Sequence, residues 1–307
     1  MKKIDISFIT INYNSSNHTI ALVESIAQKV SSTLSYEIIV VDNASGEDDF
    51  LNLERSLNDF ACSTLVRNRI NTGFAGGNML GVNYASGEYY FFINNDCILI
   101  NDVAIIMKSF MDTHNTAGVV TAKIMDETGY YSSSFKQFPS VLKQLFGNSI
   151  ERLISLKHFP SNKTLLIVPT AVEVISGSCM FFRADDFCAI GGFDTAFFLY
   201  CEEEDICKRV WSSGKQIFFV PEAEIFHKVG GSSIQNIALK KEFYISYNLL
   251  INKHFTFFSR FLIKGGLFFK QFRRVFTKQD SLQIFLFVVS GSPIKDSLRY
   301  IQKIYKR

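Results

Sequence analysis

The sequence predicts an α/β protein, a Rossmann-like, mostly parallel sheet flanked by helices, with a helical extension at its C-terminal end. Three observations predict it. In the first hundred residues, short apolar runs alternate with stretches whose apolar residues recur at near-helical spacing. Strands separated by helices form βαβ units, and such units build parallel sheets. Three of the predicted strands end in Asn or Asp, and open parallel sheets bind ligands at those ends.

Taken in order, residues 4–11 form the first strand and residues 19–30 a helix. Residues 36–41 form an apolar run ending in Asp42, and Ser45-Gly46-Glu47-Asp48 has the character of a helix start. Residues 64–66 and 89–93 are two further strands. Residues 132–162, rich in Ser, Phe and Lys and containing Pro139 and Pro160, read as loops with one short helix. Residues 172–183 return to strand character, interrupted at Gly177; Gly191-Gly192 then opens a loop over 193–201. A helix is expected over 202–211, and a strand over 216–220 that stops at Pro221. Charge and Phe density change near residues 230–236, dividing a body, residues 1–235, from a terminal region, 236–307.

The formal net charge of +3 conceals this division. From Lys240 to Arg307 there are 14 Lys/Arg and 3 Asp/Glu, so this segment carries +11 and the preceding 239 residues −8. It also holds 11 of the 31 Phe. A basic, aromatic end on an acidic body fits an anionic bilayer surface, or else a helical subdomain with a solvated basic face. No nucleic-acid motif accompanies the charge. The longest uncharged run near the C-terminus, residues 281–294, has 14 residues, too few to span a bilayer. Met1-Lys2-Lys3 precedes no continuous apolar run, which argues against a secretory signal and for a cytosolic address. The six cysteines contain no C-x-x-C pair, so reduced thiols are expected.

The polar strand ends are Asn12-Tyr13-Asn14, Asp42-Asn43 and Asn94-Asn95-Asp96. Singly each is ordinary turn chemistry; together they outline a nucleotide crevice, where a carboxylate accepts from a ribose hydroxyl or a base N–H. Residues 71–78, Asn-Thr-Gly-Phe-Ala-Gly-Gly-Asn, precede a helix but match neither the P-loop nor the G-x-G-x-x-G fingerprint. Asp96 ends a very apolar strand, so it either caps the helix after Asn101 or binds a hard cation, Mg²⁺ or Mn²⁺. Glu202-Glu203-Glu204-Asp205 follows Phe197-Phe198-Leu199-Tyr200, where a general base and a sugar-stacking surface can coexist; a solvated helix N-terminus is the plainer reading. His227, a lone histidine, reads first as structural, but its imidazole can complete the shell of such a cation.

These residues together resemble the family 2 glycosyltransferases, inverting enzymes of the GT-A fold, and within them the rhamnosyltransferase-like branch. The matching stretches are residues 9–14, 37–45, 71–78, 87–96, 176–180, 191–194, 198–209 and 220–232, in family order. The resemblance makes the body a GT-A catalytic domain. It implies that Asn12, Asn14, Asp42 and Asn43 hold the nucleotide, and that Asn71, Gly73, Phe74, Gly77, Asn78, Asn94 and Asn95 line the donor pocket. Asp96 falls at the family's metal carboxylate, His227 at a second metal ligand, and Glu203 at the catalytic base. Gly177, Ser178, Tyr200 and Glu202 fall on the acceptor side. The usual Asn-Pro-Asp is Asn94-Asn95-Asp96 here. The base position carries Glu in place of Asp, with the choice among Glu202, Glu203 and Glu204 open.

The function so implied is inverting transfer of a sugar from a nucleotide-diphospho-sugar to a hydroxyl of a lipid-linked surface-polysaccharide glycan. dTDP-rhamnose is the favoured donor, and a UDP-sugar the next. The basic tail would sit on the inner face of the cell membrane, or else serve a homodimer. A catalytically inactive nucleotide-sugar-binding scaffold is the alternative function; a dehydrogenase lacks its glycine fingerprint.

Overall fold

A computed structural model describes residues 3–146, 159–161, 164, 166–228, 236–277 and 281–302. In chain order the elements are β1 (Ile6–Asn12), α1 (Ser16–Lys29), β2 (Tyr36–Asp42), α2 (Glu47–Leu57), β3 (Ser63–Arg67), α3 (Gly73–Val82), β4 (Tyr89–Ile93), β5 (Cys97–Leu99), α4 (Val103–Thr113) and β6 (Ala117–Met125). There follow β7 (Tyr131–Ser132), β8 (Phe135–Lys136), α5 (Val141–Phe146), β9 (Thr170–Ala171), β10 (Val174–Ile175), β11 (Cys179–Arg183), α6 (Ala184–Ala189), α7 (Glu202–Ser212) and β12 (Gln216–His227). Three helices close the chain: α8 (Ile237–His254), α9 (Phe257–Val275) and α10 (Ser281–Val289), with 3₁₀ turns at Ile294–Asp296 and Leu298–Tyr300.

The main sheet runs β3-β2-β1-β4-β11-β6-β12-β5. The strands β3, β2, β1 and β4 are parallel, β11 is antiparallel to both of its neighbours, and β6 and β12 are parallel again. The run Tyr89-Tyr90-Phe91-Phe92-Ile93 is apolar throughout because helices cover both faces of the sheet and bury all five residues. One face packs Phe8, Ile38, Val40 and Phe91 under Leu22, Ile26, Leu53 and Met107. The other carries Phe92, Phe182, Phe187 and Phe193, with Phe92 at 4.9 Å from Phe187 and 5.0 Å from Phe193, centroid to centroid.

Two departures from the sequence expectation bear on the site. The strand over 216–220 does not stop at Pro221 but continues to His227. The ladder to β6 breaks at the proline: Val220 pairs with Ala122 and Glu224 with Lys123, so residues 221–223 form a bulge in which no N–H is required of Pro221. Asn101 pins the bulge, donating to the Glu222 carbonyl (2.7 Å) and accepting from the Glu224 amide (3.1 Å). Beyond it β12 also pairs antiparallel with β5, a strand too short to show any periodicity, and this sets His227 opposite Cys97. The strand expected over 172–183 is two strands parted at Gly177: β11 in the main sheet, and β10 paired with β8.

Of the residues expected to hold the domain boundary, 230–235 lie outside those described; Asn236 caps α8, accepting from the Ala238 amide at 2.8 Å. Helix α8 packs Leu250 against Phe197 and Cys201, and its Ser246 hydroxyl donates to the Leu199 carbonyl at 2.7 Å. Helices α9 and α10 leave much of their apolar surface exposed. Among the described residues, no helix is long and apolar enough to cross a membrane.

Candidate active site

Parallel register brings the polar strand ends together. Asn12 lies opposite Asp42, the last pair of β1 and β2, and Asp42 lies opposite Arg67 of β3. Asn12 is fully buried, its amide donating to Asp42, Ser45 and Asp49 (2.8–3.1 Å) while its oxygen accepts from Thr19. The second Asp42 oxygen accepts from the Ser45 amide. Asn12 and Asp42 thus organise the crevice floor from inside. Asn14 is exposed, in the left-handed region at φ 51, and accepts from the Gly46 amide.

Asn43 organises the next turn. Its amide donates to Asn71 Oδ1 and the Gly73 carbonyl, both at 3.0 Å, and its oxygen accepts from the Thr72 amide. Buried Asn78 donates to the Phe74 carbonyl, closing the first turn of α3. Two glycines of this segment are required by protein contacts. A Cβ on Gly77 would lie 2.8 Å from Ile11, and one on Gly73, at φ +74, would lie 1.9 Å from the Phe198 carbonyl oxygen. That carbonyl accepts from the Phe74 amide at 2.8 Å, so the glycine segment and the 193–201 loop are joined.

Asn94, Asn95 and Asp96 follow β4. The Asn94 amide donates to the Ser178 carbonyl, and Asn95 donates to Ser15 and Thr19. Asp96 is not the cap of α4; Asp102 fills that role, accepting from the Ile105 amide at 3.1 Å. The β5–β12 pairing carries Asp96 to His227, with Oδ1 3.1 Å from Nε2. Asp96 Oδ1 is nonetheless buried with no hydrogen-bond partner, so a carboxylate oxygen and an imidazole nitrogen converge with spare donor capacity. Cys97 lies in the same group, all ligand atoms within 4.8 Å of one another. Burial and the Asp96 charge hold the Cys97 thiol well above its ordinary pKa, and it donates to the Ser178 carbonyl. The oxygen–nitrogen donor pair of Asp96 and His227 suits a hard or borderline divalent ion.

Across Gly177 stands the acidic turn. A Cβ on Gly177 would lie 3.4 Å from the Phe74 ring and 3.9 Å from Glu203 Cβ, while the next residue, Ser178, contacts Asn94 and Cys97. Glu203 and the Asp96–His227 pair thus flank one short segment. Tyr200 and Cys201, at φ 71 and 65, form a strained left-handed pair that turns the loop into α7. The four acids then separate by environment. Asp205 is fully buried and held by His254 (2.7 Å), Lys253 (2.7 Å) and Arg209 (2.7 and 2.9 Å). Burial would raise its pKa, but the hydrogen bonds from His254 and Lys253 and the Arg209 charge hold it down to about 2. Burial and the neighbouring Glu203 charge raise Glu202 well above the usual carboxylate range, and raise Glu204 in the same way. Glu203 and Glu204 both reach Lys136, at 3.0 and 2.6 Å. Lys136 carried no sequence signal, standing in a stretch that reads as loop. The buried polar atoms without partners include Asp96 Oδ1, Tyr200 OH, Glu202 Oε2 and Glu204 Oε2, all on residues of this site, where a ligand can supply what the protein does not.

The family model of Glycosyl transferase family 2 matches residues 7–188, more than half of the chain. The chain belongs to that family. Its membership makes it a glycosyltransferase, although the match ends before Glu203 and His227. The rhamnosyltransferase WbbL of Escherichia coli (strain K12) is 26% identical over 200 residues, 62% of this chain and 72% of that protein. An N-acetylglucosaminyl-diphospho-decaprenol L-rhamnosyltransferase of Mycobacterium tuberculosis is 31% identical over 98 residues, 30% of this chain and 32% of that one. The low-salt glycan biosynthesis hexosyltransferase Agl10 of Haloferax volcanii is 22% identical over 304 residues, 97% of this chain and 87% of that one. Among solved structures, S. aureus TarS in complex with UDP-GlcNAc is similar with a TM-score of 0.60 at 16% identity, covering 95% of this chain and 81% of that one. GalNAc-T7 with UDP, GalNAc and Mn²⁺ gives 0.59 at 16%, covering 82% of this chain and 48% of that one. These likenesses show the GT-A fold that the sequence predicts.

Proposed function

We propose that this glycosyltransferase moves one sugar, with inversion, from a nucleotide-diphospho-sugar to a hydroxyl of a lipid-linked glycan. dTDP-rhamnose is the favoured donor and a UDP-sugar the second choice; the rhamnosyltransferases among its relatives support that order. The observation that carries the reading is the convergence of Asp96 Oδ1 and His227 Nε2 at 3.1 Å beside the crevice of Asn12, Asp42 and Asn43. Its unpartnered buried carboxylate oxygen fits a divalent cation, Mg²⁺ or Mn²⁺. Asp96 and His227 would hold that ion, which when bound offsets the charge gathering on a departing diphosphate.

The chain's own groups do the rest. Asn14 and the Asn43–Asn71 turn present polar groups to a nucleoside. Phe74, edge-on to Phe193 at 5.7 Å, supplies an apolar wall at Gly177. Glu203 takes the proton of the attacking hydroxyl. Among the acidic neighbours it suits that task, since Asp205 is fully committed to Lys253, Arg209 and His254, and burial with the Glu203 charge raises Glu202 and Glu204. General-base action is worth about 10²–10⁴-fold.

The C-terminal region supports attachment to an anionic bilayer. Phe257, Phe258, Phe261, Phe269 and Phe276 are exposed, and Lys264, Arg273 and Arg274 are exposed on the same helix or its end. Each buried Phe would contribute about 1.5–3 kcal/mol and each cation about 1 kcal/mol. Such a surface would hold the enzyme on the inner face of the membrane, where a lipid-linked acceptor is presented.

The test is turnover of a nucleotide-sugar panel with Mn²⁺ present, wild type against Glu203→Gln. Loss of at least about 100-fold in kcat with donor affinity retained supports the base assignment. Wild-type protein that neither transfers nor slowly hydrolyses any donor would be a scaffold instead.

A further inference from the structure

Lys136 lies on β8, in the two-stranded sheet beside Gly177, outside every motif that the sequence displays. Residue pairing of Val174 with Lys136 and of Ile175 with Phe135 fixes its place, and its ammonium reaches Glu203 Oε1 at 3.0 Å and Glu204 Oε1 at 2.6 Å. It is therefore bound to the first turn of α7 by side chains alone, across 67 positions of sequence.

Three successive glutamates on one helical turn repel one another, and each ionisation makes the next harder. The helix N-terminus offsets only part of this. The other titratable groups around the cluster are mostly unhelpful: Tyr200 and Cys201 on the approaching loop, Cys207 one turn on in α7, and Tyr247 on α8 are neutral. Arg209, Lys253 and His254 are spent on Asp205. Lys136 supplies the compensating charge. Partial burial opposes its protonation, yet the Glu203 and Glu204 carboxylates outweigh this and hold it well above the ordinary lysine range, so it stays an ammonium across the working pH range.

We propose that Lys136 is a positioning residue for transfer: its ammonium keeps Glu203 ionised and fixed beside Gly177, so that the proton of the acceptor hydroxyl has somewhere to go. This rests on Glu203 being the base. Lys136 does not touch the metal pair, and its action on the reaction passes through the glutamate. With no ammonium, protonation of the cluster becomes easier, and a protonated glutamate cannot accept a proton.

The experiment is the kcat-against-pH profile of Lys136→Met and Lys136→Arg beside wild type, with donor KM and thermal melts on the same samples. Lys136→Met should displace the acid limb upward by about one pH unit, which lowers kcat by about tenfold at pH values on that limb, with donor KM changed less than about twofold. Lys136→Arg should return the limb most of the way. Lys136→Gln replaces the methionine variant should the latter fail to fold; with 39% of the side chain exposed, the site tolerates a neutral chain. A limb that stays in place, whether or not kcat falls, overturns the proposal. A carboxyl ¹³C titration of Glu203 in wild type and Lys136→Met needs no turnover and must show the same upward movement. Should Glu203→Gln retain turnover while that titration moves, the error lies in the identity of the base rather than in the Lys136–Glu203 coupling.

Discussion

Replacing buried Gly73 with Ala should cost far more than the addition of one methyl group suggests. The residue has φ +74, where a Cβ costs about 1–2 kcal/mol. That Cβ would also lie 1.9 Å from the Phe198 carbonyl oxygen and 2.7 Å from its carbon, both backbone atoms that cannot rotate aside. Relief requires the two segments to part by more than an ångström, breaking the 2.8 Å bond from the Phe74 amide to that carbonyl. A buried polar pair so separated loses about 1–3 kcal/mol, giving about 2–5 kcal/mol in all. Gly129 is the control: its φ is +77, but nothing lies within 4 Å of a Cβ there, so Gly129→Ala carries the conformational term alone. Urea unfolding of both variants isolates the difference, and nucleotide binding shows whether parting the segments opens the donor crevice. Equal destabilisation of the two variants would refute the contact between the glycine segment and the 193–201 loop.

Asp205 gives a pH prediction. Its folded pKa, about 2, lies below the ordinary carboxylate value, so its stabilisation is complete above about pH 4 and disappears as pH falls toward 2. The shift corresponds to about 2 kcal/mol. The stability gap between wild type and Asp205→Asn should narrow by that amount over this interval; a gap constant with pH would mean the carboxylate is not held ionised. Replacing Phe257, Phe258 and Phe261 by Ser should reduce partition onto anionic vesicles at least about tenfold without changing turnover of a soluble acceptor analogue; unchanged partition would assign the exposed face another partner.

Much of this arrangement was legible locally. The runs that became β1, β2 and β4 are buried on both faces, so their apolar character announced them, and Asn12, Asp42 and Asn94 fall at strand ends as spacing suggested. What the sequence concealed is made by partners distant in the chain. The strand β5 has three residues and exists because β12 runs past its proline to meet it. A lone histidine acquires meaning at position 227 only through that bulge. The four acids of α7 look alike in sequence; they part company because α8 brings His254 and Lys253 to Asp205 and β8 brings Lys136 to Glu203 and Glu204. Gly73 and Gly77, which the family resemblance places at the donor pocket, make room for Phe198 and Ile11, two partners that the local sequence does not reveal.

Binding of dTDP and UDP by calorimetry, with Mn²⁺ and then with a chelator, tests the metal pair directly. The account predicts that Mn²⁺ tightens wild-type binding at least about tenfold, and that Asp96→Asn and His227→Ala each bind as wild type does in the chelator. Wild-type affinity indifferent to Mn²⁺, or either variant keeping the full enhancement, would contradict it.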